Sequence, residues 1–597
     1  MTVLNLIAVL KRHCGRSVAK AVFLAVLSFS LAVVISAAEV NEDGALRDLI
    51  QKAARGDSEA RYQLALFYLE GKGVAKNPEE GLRWLRLAAE QQHVRAQGVL
   101  GAMYRDGVGV ARDDAEAVRW LKLAVWHASA PAETDLAWMY EQGRGVAKDL
   151  REAARLYSRA ADKGSVVAQH HLGMLYLEGR GVARDEKEAL ALLQKAAKSG
   201  HLDALFQVGL LHESGRGVKA DNEVAAEHYQ RAAEAGHPYA QTNLGLMLRE
   251  GRGVASNAVA AAQWFRRAAE QKDVYAQLNL AVMCRDGIGV VRSDEEAVRF
   301  FRLAAEQGNP AAQSDLGWLC EMGRGTPKDE REAAKWYRLA AEQGNAIAQC
   351  NLAGMLRDGR GVERDLTAAA GWFRKAAEQN DSFAQVELAK SYRAGRGVAK
   401  DADEAIRLLR QASLQAEVQS RYELGRMYEL GWGTPRDLNE AYKWYHFAAK
   451  RGNVAAQVRL GFLCMAEKGE LRDEAASAEW FRLAAEKGDV TAQVNLGRAL
   501  RDGRGVVRNE ATAVKWFQRA AEQQDPEARA ELGWMHESGM SFPKDDWEAY
   551  KLYRLAARKG NTFAQKRLGV FYQEGRGVTR NAAEAEKWFR LAAGRND

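Results

Sequence analysis

Fourteen glycines recur at a fixed interval of thirty-six residues, from Gly71 and Gly107 through Gly503, Gly539 and Gly575, and Glu467 holds the one position that breaks the series. No insertion or deletion disturbs this register over fifteen units. A period of this length marks a solenoid, in which each unit packs mainly on its neighbours and the array forms one elongated body. That constraint outweighs length, since 597 residues would otherwise suggest about four globular domains. A single enclosed active-site pocket is correspondingly unexpected.

The net charge of +7 is misleading, because Lys11, Arg12, Arg16 and Lys20 supply four of those charges in a stretch without acidic residues. The rest of the chain carries only +3 and has no basic run, so nucleic-acid binding has little support. These same residues precede an apolar stretch from Ala21 to Ile35 and then Ser36-Ala37-Ala38. Basic, apolar, small: this is the order of a secretory signal over residues 1–38, followed by residues 39–57 as a capping segment and 58–597 as the array. The apolar stretch is short for a bilayer span, which needs about 20 residues. Export to the periplasm or beyond is expected, with no membrane insertion after cleavage; the alternative is an uncleaved inner-membrane anchor.

Each unit reads as two helices around the glycine turn. In the unit beginning at Ser58, Ala60, Leu64, Ala65 and Tyr68 form one apolar stripe at helical spacing. Gly71-Lys72-Gly73-Val74 ends that helix, because glycine reaches the left-handed conformation at little cost. Asn77, with Glu80 three residues on, predicts a capping box at the start of the second helix, whose stripe is Gly81, Trp84, Leu85, Ala88 and Ala89.

Stepping by thirty-six supports this reading. The Leu64 position is Leu in every unit except Val208, and the Ala65 position is only Ala or Gly. The Asn77 position is always Asp, Asn or Ser, a cap that contributes about 1 kcal/mol. The Trp84 position is apolar or aromatic in all units but His228, and each ring buried there is expected to contribute about 2–3 kcal/mol. The chain is therefore predicted to be an all-α solenoid.

The recurring pattern Ala-Gln-x-x-Leu-Gly-x-x-Tyr-x-x-Gly-x-Gly-Val, then Asp-x-x-x-Ala-x-x-Trp-Phe-x-x-Ala-Ala-Glu-x-Gly, resembles the Sel-one-like repeat, with close matches from Ala276 through Gly308 and Ala168 through Gly200. The resemblance covers Ser58 to the C-terminus. It implies a right-handed superhelix related to tetratricopeptide arrays and used as an adaptor or scaffold for a protein or peptide partner. Exported bacterial relatives also include scaffolds for polysaccharide export and cysteine-rich proteins with penicillin binding. Two alternatives follow: a structural part of an envelope or polysaccharide-secretion complex, and a cell-wall-active or β-lactam-binding enzyme.

The enzyme alternative fits the cysteines poorly. The cysteine-rich relatives clamp each unit with a disulfide, whereas only Cys284, Cys320, Cys350 and Cys464 follow the leader here. Three of them share the Tyr68 position and read as packed side chains. Cys320 with Cys350 is the one pairing worth testing. The Gly-x-Gly turns follow helices and lack a third glycine, so they are structural rather than phosphate-binding. Histidines concentrate at His170, His171, His201, His212, His228 and His237, but His201 and His237 share one inter-repeat loop position, His212 replaces the Tyr68-type residue, His228 replaces a tryptophan, and no His-x3-His pair appears. Neither a metal site, a cofactor nor a catalytic set is expected.

The resemblance places the first helix of each unit on the concave face. It further implies that asparagine there holds a ligand's backbone and basic residues hold its carboxylates. Carried onto this chain, the candidate groove is Asn243, Asn279 and Asn351 with Arg249, Arg285 and Arg357, and Tyr239, Tyr275 and Trp318 supply apolar anchors. The competing reading is that Arg and Glu on neighbouring first helices pair with each other and need no ligand.

A longer period of 108 residues relates Glu213, Glu321, Glu429 and Glu537, and likewise Tyr229, Tyr337, Tyr445 and Tyr553. Duplication of a three-unit block is its plainest source, and it would suit an extended or multivalent partner. Gly44 to Arg55 matches a second helix and reads as a polar cap on the first unit. The last helix, bearing Trp588 and Phe589, has no such cover and is either self-sufficient or an end for docking another copy. The broken turns at Glu467 to Leu471 and at Gly539 to Phe542 are the places where the array is expected to depart from regularity.

Overall fold

A computed structural model describes residues 44–466 and 471–594. The leader assigned to residues 1–38 lies outside them, as does the broken turn from 467 to 470. The described residues form an all-α solenoid of 31 helices and no strand. A helix Gly44–Arg55 comes first, with Leu46, Ile50 and Ala53 buried. Fifteen pairs follow, from Ser58–Glu70 with Pro78–Glu90 to Thr562–Glu574 with Ala582–Ala592. Within each unit the first helices pack on the second helix of their own pair and on the second helix before them. The array divides into two units, one ending at Phe300 and the other beginning at Phe301. No described helix is long and apolar enough to cross a membrane.

The Gly-x-Gly turn has two separate causes. Gly143 takes φ 73°, and its N–H closes the first helix on the carbonyl of Met139. Two residues on, Gly145 lies so close to the next layer that a Cβ there would overlap the carbonyl of Asp114, at the start of the preceding second helix. The first glycine supplies a conformation and the second supplies proximity.

Caps behave as expected, with one correction. Asn77 accepts the N–H of Glu80, and Asp113 accepts those of Ala115 and Glu116. The box is not reciprocal: the Asn77 N–H goes to the carbonyl of Tyr68, and Glu80 Oε1 stays without a partner. The turn itself has already satisfied the amide that the glutamate would have served.

The tryptophan position also needs correction. Trp84 and Trp120 are buried, but Trp264, Trp372, Trp516 and Trp588 are only half-buried, and cationic side chains lie over them. Arg267 sits 4.6 Å from the Trp264 centroid, and Lys375 sits 4.1 Å from that of Trp372. Most of the fully buried rings belong to the next residue along, including Tyr229 and Phe265 in the first unit and Tyr337, Phe373 and Phe517 in the second. Most of the 2–3 kcal/mol per ring thus belongs to that position. Opposite it stands the Ala-or-Gly position: a Cβ on Gly209 would meet the Tyr229 ring.

Candidate partner-binding face

In the first unit the predicted groove residues lie on two consecutive first helices, Pro238–Glu250 and Val274–Asp286. Tyr239 and Tyr275 share one position in the second residue of each helix and are 57% and 65% exposed. Asn243, Asn279, Arg249 and Arg285 are half-buried. Arg249 donates through Nη1 to Asn279 Oδ1 at 2.5 Å and through Nη2 to Glu250 at 2.8 Å, and Asn279 Nδ2 donates to the carbonyl of Tyr275 at 2.8 Å. Arg285 grips Asp286 with two nitrogens. In the second unit Trp318 is half-buried beneath Arg324, whose guanidinium lies 5.0 Å from the ring centroid. Asn351 and Arg357 share the helix Ala346–Asp358, and Arg357 Nη1 donates to Glu387 Oε2 at 2.6 Å.

Arg357 illustrates a rule. A charged residue near the end of one first helix meets its complement thirty residues on, in the middle of the next first helix. Arg105 pairs with Asp135 in the first unit; Arg393 pairs with Glu423 and Arg501 with Glu531 in the second. The order reverses at Glu429 with Arg459 and at Glu537 with Arg567. The Arg and Glu alternation is thus largely an internal ladder.

The five glutamates of this position form a more specific set. The hydroxyls of Tyr157, Tyr229, Tyr337, Tyr445 and Tyr553 each donate to the glutamate sixteen residues earlier, Glu141, Glu213, Glu321, Glu429 and Glu537, at 2.6–3.0 Å. Tyrosine occupies that second-helix position in these five repeats and in no other; the remainder have Leu or Phe. An arginine from the following repeat completes the set, as Arg180 does on Glu141 at 2.6 Å and Arg576 on Glu537 at 2.8 Å. Burial, with the neighbouring carboxylate, pushes the Tyr157 and Tyr229 hydroxyls far above their ordinary ionisation range. The 108-residue period is the spacing of four of these triads.

Apolar side chains remain open on the face. The Tyr239 position is also occupied by Val167, and in the second unit by Ile347, Phe383 and Phe563, all 46–63% exposed. The same position is charged at Glu59, Arg95, Asp203 and Glu527, and small or uncharged polar at Pro131, Ala311, Gln419, Ala455 and Thr491. Sequence reasoning picked out Tyr239 and Tyr275 but missed Ile347 and Phe383. Stepping along this one position by thirty-six would have found them.

The histidines need correction as well. Side-chain donors of His170, His201 and Asp203 lie within 4.8 Å of one another, a convergence that spacing along a single helix does not reveal. Their other contacts argue for packing. The His170 and His201 rings stack at 4.5 Å, in the slot where Tyr62 stacks on His93 and Phe206 on His237. His201 Nδ1 caps a helix by accepting the Ala204 N–H at 3.2 Å, which places its ring proton on Nε2. Asp203 is engaged by His237 Nε2 at 3.1 Å. Burial, helped by His201 and His171, pushes the His170 pKa down to about 4.

The four cysteines among the described residues are free, buried thiols, Cys320 and Cys350 included. Burial pushes Cys284 and Cys350 up to about 12 and Cys320 and Cys464 up to about 11, so they are neutral at physiological pH.

A family model described as the Sel1 repeat matches fifteen times, from residues 58–93 to 562–597, leaving only short gaps at 126–129 and 417. No curated protein is similar at a significant level. Among solved structures, c5321, a protective antigen of uropathogenic Escherichia coli with an SLR fold, is 31% identical with a TM-score of 0.66. That match covers 74% of this chain and 94% of the antigen. A Sel1 repeat protein from Oxalobacter formigenes is 32% identical over 60% of this chain and 92% of its own, with a TM-score of 0.36. With repeats matched along nearly all of residues 58–597, the chain belongs to the Sel1 repeat family.

Proposed function

We propose that this protein is an exported interaction scaffold that holds a protein or peptide partner on the exposed face of its first helices. Sel1 repeat arrays generally mediate protein–protein interaction. The observation that carries the reading here is the exposed apolar stripe, with Tyr239 and Tyr275 on consecutive helices of the first unit. Large aromatic side chains dominate interface energetics once desolvated. Asn243, Asn279, Arg249 and Arg285 flank that pair as polar contacts, and Trp318, Asn351 and Arg357 make a separate set in the second unit. Since Arg249 and Arg357 already have internal partners, their contribution is orientation more than free charge. Export rests on the basic, apolar and small-residue order of residues 1–38.

The test is affinity capture from envelope fractions, followed by titration of the captured partner against Tyr239→Ala/Tyr275→Ala. Loss of at least tenfold in affinity with unchanged helicity is expected. Equal affinity would remove this face from consideration. A fusion of residues 1–60 to alkaline phosphatase should be active outside the cytoplasm, and an inactive fusion would reject export.

A further inference from the structure

In three repeats two arginines of one turn share a carboxylate, and in a fourth the arginines are kept while the carboxylate is gone. Arg357 donates through Nε and Nη2 to Asp358 at 2.8 and 2.9 Å, and Arg501 does the same to Asp502 at 2.6 and 3.1 Å. Arg249 meets Glu250 at 2.8 Å. Two residues beyond each acid a second arginine comes back to it: Arg360 to Asp358 at 3.8 Å, Arg504 to Asp502 at 2.7 Å and Arg252 to Glu250 at 2.7 Å. In the tenth repeat the two arginines are Arg393 and Arg396, and the place of the acid is taken by the exposed Ala394.

The substitution leaves donors open on both guanidinium groups. Six repeats carry arginine at the Arg393 position, and the other five all have Asp or Glu as the next residue. Arg393 keeps its inner contact, with Nη1 donating to Glu423, a buried carboxylate that Arg426 also approaches at 3.6 Å. Its Nε and Nη2, the edge that holds the neighbouring acid in Arg357 and Arg501, bond nothing among the described residues. Nine repeats carry arginine at the Arg396 position, and eight of them have an acidic residue two, thirty or thirty-nine places earlier. Arg144 uses the second of these distances, to Asp114, and Arg180 the third, to Glu141. At those three places Arg396 has Ala394, Leu366 and Arg357. Its side chain is exposed and meets no acceptor among the described residues. Glu387, on the same helix as Arg393, is already held by Arg357 and Lys390.

We propose that Arg393 and Arg396 receive an Asp or Glu side chain of the partner in place of the absent acid. The inference rests on the reading that the partner is a protein or peptide, and it names the chemistry of one anchor. A side-chain carboxylate is the group that fills this place in the three counterpart repeats. Glu423 holds the Arg393 guanidinium from behind, so its free edge presents two parallel N–H groups at the spacing a carboxylate accepts.

The probes are acetyl-Ala-Asp-Ala-amide, acetyl-Ala-Asn-Ala-amide and acetyl-Ala-Ala-Ala with a free C-terminus, each titrated calorimetrically into the full chain. The aspartate peptide is expected to bind at least fivefold more tightly than the asparagine peptide, and Arg396→Gln should remove that preference. Ala394→Asp restores the acid of the counterpart repeats and should remove it too, with an unchanged far-ultraviolet spectrum. Arg396 is exposed, so Arg396→Gln decides alone if Ala394→Asp does not fold. Equal binding of the aspartate and asparagine peptides, no saturable binding up to millimolar concentration, or a preference kept by either variant would overturn the assignment. Tighter binding of the free C-terminus than of the aspartate would overturn the choice of a side chain. Partner capture that survives Ala394→Asp but is lost in Tyr239→Ala/Tyr275→Ala would overturn the arginine site and leave the apolar face standing; the opposite result would do the reverse.

Discussion

Single side chains decide how neighbouring repeats are joined, and His170 is the clearest case. Its ring stacks on His201, lies 5.4 Å from His171, and is buried enough to lower its pKa to about 4. His171 in turn faces Glu141, with Tyr157 and Arg180 on the same carboxylate, while Asp203 and His237 lie beyond His201. His201 is shifted downward as well, chiefly by burial. Because the folded state favours the neutral rings, their contribution is complete above the unfolded pKa near 6.5. It is lost as pH falls from there toward 4. His170→Phe keeps the stack without the titrating group, so its melting temperature should fall less than that of the wild type between pH 7 and pH 4.5. The difference should correspond to on the order of 2 kcal/mol. Parallel melting curves would reject this account. None of the arrangement was legible beforehand, because its members are about thirty residues apart and meet only across repeats.

Helices and turns were much more legible. The period placed each helix pair, the glycines placed the turns, and the Asp, Asn or Ser positions placed the caps, because all of these are local. What escaped was anything needing a second helix: which of two adjacent ring positions faces inward, and which Arg answers which Glu. Trp264 and Phe265 sit side by side in sequence, and only packing shows that the phenylalanine is the buried one. The connection between pairs also holds strain that composition alone does not show. Gly164, Gly200 and Gly236 take positive φ there, and the same position is filled by Gln92, Ala128 and Lys272, also at positive φ. A non-glycine residue in this conformation costs about 1–2 kcal/mol, partly offset by glycine's greater freedom when unfolded. At these three glycines a Cβ would have no neighbour within 4 Å, so side-chain packing does not enter. Lys272→Gly should therefore raise stability by about 0.5–1 kcal/mol in urea denaturation, and Gly236→Ala should lower it. A destabilised Lys272→Gly would mean that the lysine makes a contact worth more than the strain.

For the whole chain, the fold class and family were readable from the period, and the face that carries the partner was readable only as a set of candidate positions. The internal ladder explains the difference. Periodicity shows that Arg249 and Arg357 recur on one side of the first helices, but not that Asn279 and Glu387 already receive them. One variable position proved more informative: it exposes Tyr239, Ile347 and Phe383 where Glu59, Arg95, Asp203 and Glu527 are charged.

The unbroken register has a mechanical consequence. Every repeat contributes thirty-six residues of contour, so a chain pulled from its ends should lengthen in equal increments of about 120–130 Å. The tyrosine–glutamate–arginine joints set the order of yielding, since repeats bonded through them should resist longer than those with only Leu or Phe at the joint. A force-extension trace would then show evenly spaced peaks, the lower ones first and those of the bonded repeats last.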